Sequence, residues 1–237
     1  MRAVAIIPAR MASTRLPGKP MRLIAGRPMI ERVYRAVQSS PLLADVVVAT
    51  DSVEILEFCQ AQSFHVVLTS GQCRSGTDRV HEAAQTIAAD VYVNVQGDEP
   101  LTRPEHIAAL LGVMRAGVQV GTLKTPLPPE LAPNPNVVKV VTDEDGRALY
   151  FSRLPIPFDR DHAGAGYYKH LGFYAYRRAI LDRFVSWPES ALEKAERLEQ
   201  LRFLENGIGI YVAETPFDTV GVDTEEDLKS LEEFLKV

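Results

Sequence analysis

Long apolar runs are missing from this 237-residue chain. None approaches the roughly 18 residues that span a bilayer, which excludes a helical membrane protein. Cysteine is nearly absent: Cys59 and Cys73 are the two present, without C-x-x-C spacing, so neither a disulfide framework nor a zinc knuckle can be built. A secretory leader is not expected, because Arg2 is followed by five apolar residues and then Pro8. Tryptophan occurs once, at Trp187, and reads as packing. There is no internal repeat and no low-complexity tract. Two phosphate-binding signatures are missing as well. No G-x-G-x-x-G occurs, and Gly18-Lys19 is not a P-loop, since Ser13 stands five residues before Gly18 and Pro20 stands where Ser or Thr is required. No Ser-His-Asp set or reactive-cysteine setting offers an enzyme nucleophile. A soluble, cytoplasmic protein without membrane contact is expected.

What is present is an ordinary globular composition, 46% apolar and 24% charged, in a chain long enough to bury a full core. Its length suits one domain over 1–237 with an elaboration. The net charge of −5 hides an asymmetry. Of 26 basic and 31 acidic residues, eight basic and one acidic fall within residues 1–35, leaving 18 basic and 30 acidic beyond. A locally basic end on an acidic chain points to a small polyanion site and not to a nucleic-acid face, which is broader. Arg32 and Arg35 also read as the solvated face of a first helix.

Apolar patterning predicts alternating strands and helices through the first half. Strands are expected at Ala3 to Ile7, Asp45 to Thr50, His65 to Leu68, Val91 to Val95 and Val118 to Leu123. Between them, Pro28 suits a first helical position and Ile30, Val33, Tyr34 and Val37 form one stripe. Val53 to Gln62 reads as a second helix. Val80, Ala83, Ala84 and Ile87 mark a third, and Ile107, Leu110, Leu111 and Met114 a fourth. Strands alternating with helices imply an α/β fold with a mostly parallel, Rossmann-like sheet covered on both faces. From about 125 to 176 the pattern changes to a proline-rich, β-rich excursion. It carries a strand near Val137 to Thr142, an Asp145-Gly146 turn, a strand at Ala148 to Phe151, a mobile loop at 159–166 and a strand at Tyr167 to Tyr176. A helix is expected from Glu193 to Leu204, a strand from Ile208 to Val212 and a last helix from Glu225 to Leu235.

Ligands of such sheets lie beyond the carboxyl ends of the strands, and the polar clusters fall there. The loop from Pro8 and Ala9 to Lys19 gathers Arg10, Ser13, Thr14, Arg15 and Lys19. Arginine forks onto phosphate oxygens and lysine acts as a compact point charge, so this loop is a phosphate cradle. After the fourth strand, Gln96-Gly97-Asp98-Glu99 places a carboxylate where Mg²⁺ would take one or two acids plus phosphate oxygens. Asp98 could equally form an Asx-turn or cap before Pro104. Asp223 is a second acid candidate, although Asp223 or Thr224 would also cap a helix, with Thr224 and Asp227 spelling a capping box. The stretch Thr69 to Arg79 is rich in donors and small residues, suited to a base or sugar, and Thr77 could be an ordinary cap. Arg153 suits a carboxylate, and His170, Glu199 and Gln200 are polar points in apolar settings.

Taken together these motifs resemble the 3-deoxy-manno-octulosonate (Kdo) cytidylyltransferases, which are similar to the acylneuraminate cytidylyltransferases and share the nucleotide-diphospho-sugar transferase fold. The resemblance runs end to end through IIPARMASTRLPGKP at 6–20, VATDS at 48–52, SGTDRV at 75–80, VNVQGDEP at 93–100, SRLPIP at 152–157, YKHLGFYAYR at 168–177, LEQLR at 198–202 and GVDTEEDL at 221–228. It implies CMP transfer from CTP to Kdo with release of pyrophosphate, for lipopolysaccharide precursor synthesis. It further implies that Arg10, Lys19 and Asp98 carry the chemistry. Pro8, Ala9, Ser13, Arg15, Ser75, Gly76, Arg79 and Gln96 would meet the nucleotide. Gln96, Arg153, His170, Tyr174, Glu199 and Gln200 would surround the sugar acid. Asp98 and Asp223 would hold Mg²⁺, and the β-rich excursion would support a homodimer. Members often carry His where Cys73 stands here, which leaves room for a modified sugar. The alternatives are another sugar acid (acylneuraminate or an 8-amino Kdo analogue) and a non-catalytic nucleotide-binding regulatory protein.

Overall fold

β-branched and small apolar residues alternate too little to make a half-exposed strand, and Ala3–Ala9 (β1) is buried at every position. The computed structural model describes residues 1–13, 15–161 and 163–235, so Thr14 of the loop and His162 of the 159–166 segment lie outside the described residues. The chain divides into two compact units, residues 1–107 with the stretch from 219 onward, and residues 108–218.

In the first unit β1 is followed by α1 (Met29–Gln38), β2 (Asp45–Thr50), α2 (Val53–Ala61), β3 (His65–Leu68), α3 (Gly76–Ala84), β4 (Val91–Asn94) and the start of α4 (Pro104–Gly112). β2 runs parallel to β1 from Val4↔Asp45 to Ala9↔Thr50, and β3 runs parallel to β2. The chain then returns to the other side of β1, where β4 pairs in parallel from Ala3↔Val91 to Ile6↔Asn94. The order β4-β1-β2-β3 therefore reverses between β1 and β4, and connections leave their carboxyl ends in opposite directions. That opens a crevice, the usual ligand position of such sheets. The expected parallel α/β fold is thus observed.

Capping corrects two expectations. Pro28 is the N-cap of α1 and not its first helical residue. α3 is capped by Ser75, whose hydroxyl accepts from the Asp78 amide, and not by Thr77, which is buried inside the helix. The expected stripe of α1 is buried. Arg35 meets Glu31, but Arg32 donates to the Ile24 and Ala25 carbonyls and so clamps a two-residue β-ribbon. The C-terminal helix, Glu225–Phe234, begins with the anticipated Thr224/Asp227 capping box. It buries Leu228 and Leu231 in a cluster with Leu16, Ile24, Met29 and Val222.

The second unit contains β5 (Val120–Leu127), β6 (Lys139–Thr142), β7 (Ala148–Ser152), β8 (Tyr167–Tyr176), α5 (Arg178–Phe184), α6 (Ala191–Glu196), α7 (Leu201–Glu205) and β9 (Ile210–Glu214). β9 is parallel to β5 on one side, and β8 is antiparallel to it on the other. β6 and β7 form a hairpin whose β6 touches β8 at Lys139↔Lys169. The Asp145-Gly146 turn is present, with Gly146 at φ 79°. β5 begins at Val120 instead of Val118 and runs on through Pro126. That proline is tolerated because β9 ends opposite Lys124, so β5 is an edge strand at Pro126. β9 likewise lies two residues later than expected. In the 159–166 segment, Asp159 accepts the amides of Ala163, Gly164 and Ala165.

The single helix expected from Glu193 to Leu204 is two. A Ser190/Glu193 capping box starts α6 early, and Arg197 breaks it in the left-handed region at φ 56°. The reason is a buried ion pair: Arg202 Nε donates to Glu193 Oε2 at 2.7 Å. Nine residues of continuous helix would hold the two Cα atoms roughly 13 Å apart along the axis. Trp187, half-buried, packs edge-on against Phe184 and Phe203, in keeping with the packing role expected of it. Among the described residues no helix is long and apolar enough to cross a membrane.

Candidate active site

The loop after β1 is shaped by its one large buried apolar residue, Leu16, which is sunk in the cluster beneath the C-terminal helix. Gly18, at φ 67°, turns the chain back, and its amide donates to the Met11 carbonyl at 3.3 Å. The left-handed conformation favours glycine there. A short 3₁₀ turn, Lys19–Met21, then buries Pro20 and presents Lys19. The exit from β4 lies against the exit from β1: a Cβ on Gly97 would stand 3.0 Å from the Pro8 carbonyl oxygen, so glycine permits the approach. The Asp98 carbonyl accepts the Val222 amide at 2.9 Å, which draws the stretch before the C-terminal helix to the same place.

Three distant parts of the chain thus converge. Lys19 Nζ donates to Asp98 Oδ2 at 2.5 Å and to Asp223 Oδ1 at 2.9 Å. Arg15 reaches the other oxygen of Asp223 at 3.0 Å. Burial works to lower the Lys19 pKa, but Asp98 and Asp223 more than offset it and hold it above the ordinary lysine value, so the ammonium is charged. Asp223 is not the helix cap; Thr224 is, and the Asp227 carboxylate accepts the amides of both, which fixes Asp223 in place. The Asp98 carboxylate is spent on Lys19 rather than on a cap.

A cleft of about 600 Å³ opens around these groups. All ten residues expected to meet a nucleotide line it: Pro8, Ala9, Arg10, Ser13, Arg15 and Lys19 from the loop, Ser75, Gly76 and Arg79 from α3 and its cap, and Gln96 from the end of β4. Asp98 and Asp223 line it too, as does Cys73. Gln96 lies over the start of α3, where a Cβ on Gly76 would stand 3.2 Å from its Oε1. Its amide nitrogen donates to Asn94 Oδ1 at 3.2 Å, which leaves Oε1 and one N–H for a ligand. Arg79 plays a different part from Arg10 and Arg15. It is buried, and its guanidinium donates to Thr69 Oγ1 and, at 2.8 Å, to Asp51 Oδ2. It bolts the ends of β2 and β3 to α3 beneath the cleft. Cys73 Sγ donates to Glu82 Oε2 at 3.1 Å, and burial with that carboxylate pushes the thiol up to about 12, so it stays protonated.

Arg153, His170, Tyr174, Glu199 and Gln200 belong to the second unit. His170 and Tyr174 adjoin, with ring centroids 5.5 Å apart. Burial pushes the His170 imidazole down to about 3, and burial, Tyr176 and Glu199 raise the Tyr174 phenol well above its ordinary value; both are neutral. Arg153 donates to the main-chain carbonyls of Glu196, Pro135 and Arg197, which leaves two of its five N–H groups for a ligand. The Glu196 carboxylate holds the Ser152 hydroxyl and the Arg153 amide. Sequence reasoning did not assign Asp51, Thr69, Asn94, Glu82, Thr122 or Glu196. Thr69 lay at the edge of the stretch read as a base or sugar contact, and Asn94 meets Gln96 two residues on, whereas Asp51, Glu82, Thr122 and Glu196 are placed by partners farther along the chain.

A family model described as cytidylyltransferase matches residues 4–214. A 3-deoxy-manno-octulosonate cytidylyltransferase from Koribacter versatilis is 66% identical, covering all of this chain and 91% of its own length. The chain belongs to the 3-deoxy-manno-octulosonate cytidylyltransferase family. A second family member, from Acidobacterium capsulatum, is 55% identical over 99% of this chain and 97% of its own. Among solved structures, a CMP:2-keto-3-deoxy-manno-octonic acid synthetase complexed with CTP superposes with a TM-score of 0.96 at 42% identity, over 100% of this chain and 99% of that one. A 4-diphosphocytidyl-2C-methyl-D-erythritol synthase from Anaerococcus prevotii, 14% identical with a TM-score of 0.66 over 100% of this chain and 96% of its own, shares the fold alone. Like other cytidylyltransferases of this family, the chain is a nucleotidyltransferase.

Proposed function

We infer that this chain transfers CMP from CTP to 3-deoxy-D-manno-octulosonate, giving CMP-Kdo and pyrophosphate. The observation that carries this reading is Lys19 held between Asp98 and Asp223 in a cleft walled by every residue expected to meet the nucleotide. In the reaction the anomeric hydroxyl of the sugar attacks the α-phosphorus in line. The bond to the bridging oxygen breaks, pyrophosphate departs, and the hydroxyl proton is released. No enzyme nucleophile is required, so catalysis is positioning plus charge. Lys19, Arg15 and Arg10 supply fixed cations beside the triphosphate. Gln96, held by Asn94, offers paired acceptor and donor groups to the base or sugar. Arg79 holds the floor.

The donor set suits Mg²⁺: two carboxylates flank Lys19 Nζ in the cleft, and a triphosphate would add the remaining hard oxygens. Asp98 and Asp223 would hold the ion, which when bound offsets phosphate charge and orients the triphosphate. Asp98→Asn is expected to lower kcat about a hundred- to a thousandfold, the usual scale for one electrostatic group. It should shift the melting temperature little, because Asp98 is part-exposed and such ion pairs contribute about 1 kcal/mol or less. Steady-state rates at saturating Mg²⁺ alongside a thermal melt check this; unchanged turnover would remove the metal role.

Pyrophosphate release from CTP, measured against Kdo, an 8-amino Kdo analogue and an acylneuraminate, tests the substrate. Turnover with Kdo is expected. Failure with Kdo beside success with another acid overturns the assignment, and CTP binding without any turnover would indicate a regulatory protein. Use of a nucleoside triphosphate supports a cytoplasmic location. A homodimer is supported by apolar side chains left in water on the second unit, Leu154 and Phe158 being 70% and 83% exposed. Phe158→Glu with Leu154→Asp should yield a monomer in sedimentation velocity; an unaltered sedimentation coefficient would sink this interface.

A further inference from the structure

A buried threonine sits where two sugar-site candidates meet. Thr122, on β5, is fully buried, and its hydroxyl has three neighbours: Phe173 O at 2.7 Å, His170 Nε2 at 2.9 Å and Leu171 O at 3.3 Å. A hydroxyl carries one proton, and carbonyl oxygens only accept. A contact of 2.7 Å between two unprotonated oxygens would be repulsive, so the proton lies toward Phe173. The hydroxyl oxygen must then accept from His170, which places a proton on Nε2. The imidazole is neutral, a half-buried ring packed between Phe151 and Tyr174. A neutral imidazole with Nε2–H leaves Nδ1 as a lone-pair acceptor. Thr122 also sits at the irregularity of β8. Leu171 pairs with Leu123 and Tyr174 with Thr122, so the strand register shifts across Gly172 and Phe173. The bond to Phe173 O braces this bulge, and bulges re-aim side chains beside active sites. One hydroxyl therefore governs both the His170 tautomer and the strand irregularity that carries Tyr174.

We propose that Thr122 is a positioning residue for sugar recognition: it fixes His170 as the Nε2–H tautomer, so that Nδ1 accepts a hydrogen bond from a sugar hydroxyl and repels a carboxylate. The inference rests on the reading that His170 and Tyr174 meet the sugar acid. It assigns His170 to a hydroxyl of that acid and leaves the carboxylate to a cation or other donor.

The test combines nitrogen-15 NMR of the histidine rings in the full chain with steady-state kinetics of Thr122→Val, Thr122→Ser and His170→Ala. In the native protein His170 should show a protonated Nε2 and a pyridine-type Nδ1. Thr122→Val should mix the tautomers and raise KM for the sugar about tenfold or more, the scale of one lost buried hydrogen bond. KM for CTP should hold, and Thr122→Ser should restore both the ring signature and KM. A native Nδ1–H ring overturns the proposal even if Thr122→Val fails to fold. A folded Thr122→Val with altered tautomer but unchanged sugar KM overturns the positioning role. If His170→Ala, still folded, leaves sugar KM unmoved, the underlying placement of the sugar is wrong. The native ring signature separates that failure from a wrong tautomer.

Discussion

Replacing Lys19 with methionine is expected to lower kcat/KM for CTP about a hundred- to a thousandfold and to make thermal stability depend on Mg²⁺. Among the described residues, Lys19 touches both acids of the cleft, at 2.5 Å and 2.9 Å. Methionine keeps the stem and removes the charge. A fixed cation aimed at developing phosphate charge contributes on this scale. The second effect comes from what is left behind: Asp98 and Asp223 then face one another, with Arg15 still bonded to Asp223. Like charges at this range repel, and a divalent cation relieves the repulsion. Titrating Mg²⁺ against the melting temperature should give a larger rise in the variant than in the native chain. An equal rise would mean that the two carboxylates do not share an ion. The activity loss and the stability response are separate readings of the same arrangement.

Glu193→Gln should be the most destabilising of the single changes considered. Glu193 and Arg202 are buried, with side-chain exposures of 10% and 6%. Glutamine preserves shape and removes charge, which strands the Arg202 guanidinium over the Phe184 ring at 4.2 Å. Breaking a buried pair from one side costs about 3 kcal/mol or more. For a chain of this size that is a fall in melting temperature of roughly 10 °C. Replacing both partners with methionine should recover much of the loss, because an apolar pair leaves no unpaired charge. Failure of the double variant to recover would show that the pair matters for geometry and not for charge. KM for the sugar should rise in Glu193→Gln, since the pair holds the break at Arg197 that places Glu199 and Gln200.

How much could be read in advance depended on the range of each interaction. The stripe Ile30, Val33, Tyr34 and Val37 and the box Thr224/Asp227 are local patterns, and both were found where expected. Helix starts were less secure. Thr77 and Ser75 offer the same hydroxyl two residues apart, and the Asp78 amide chose Ser75. The continuous helix over Glu193 to Leu204 failed for a longer-range reason, since the pull of Glu193 on Arg202 outweighs helical propensity at Arg197. Arg79, expected to meet the nucleotide by resemblance, does line the cleft, but its guanidinium is held by Asp51 and Thr69, which no local pattern shows.

By itself the amino-acid sequence determined the parallel α/β class, the cationic loop after the first strand and the acids able to face it. Those are properties of neighbouring residues, carried by side-chain period, backbone freedom and charge. The tertiary structure alone decided which groups meet. Lys19 lies 79 residues from Asp98 and 204 from Asp223, and no local pattern encodes contacts across such separations. The strand order β4-β1-β2-β3 brings the first two together, and the C-terminal helix, seated on Leu16, supplies the third. The His170 tautomer is decided in the same way, by a hydroxyl 48 residues away whose single proton is already committed to another acceptor.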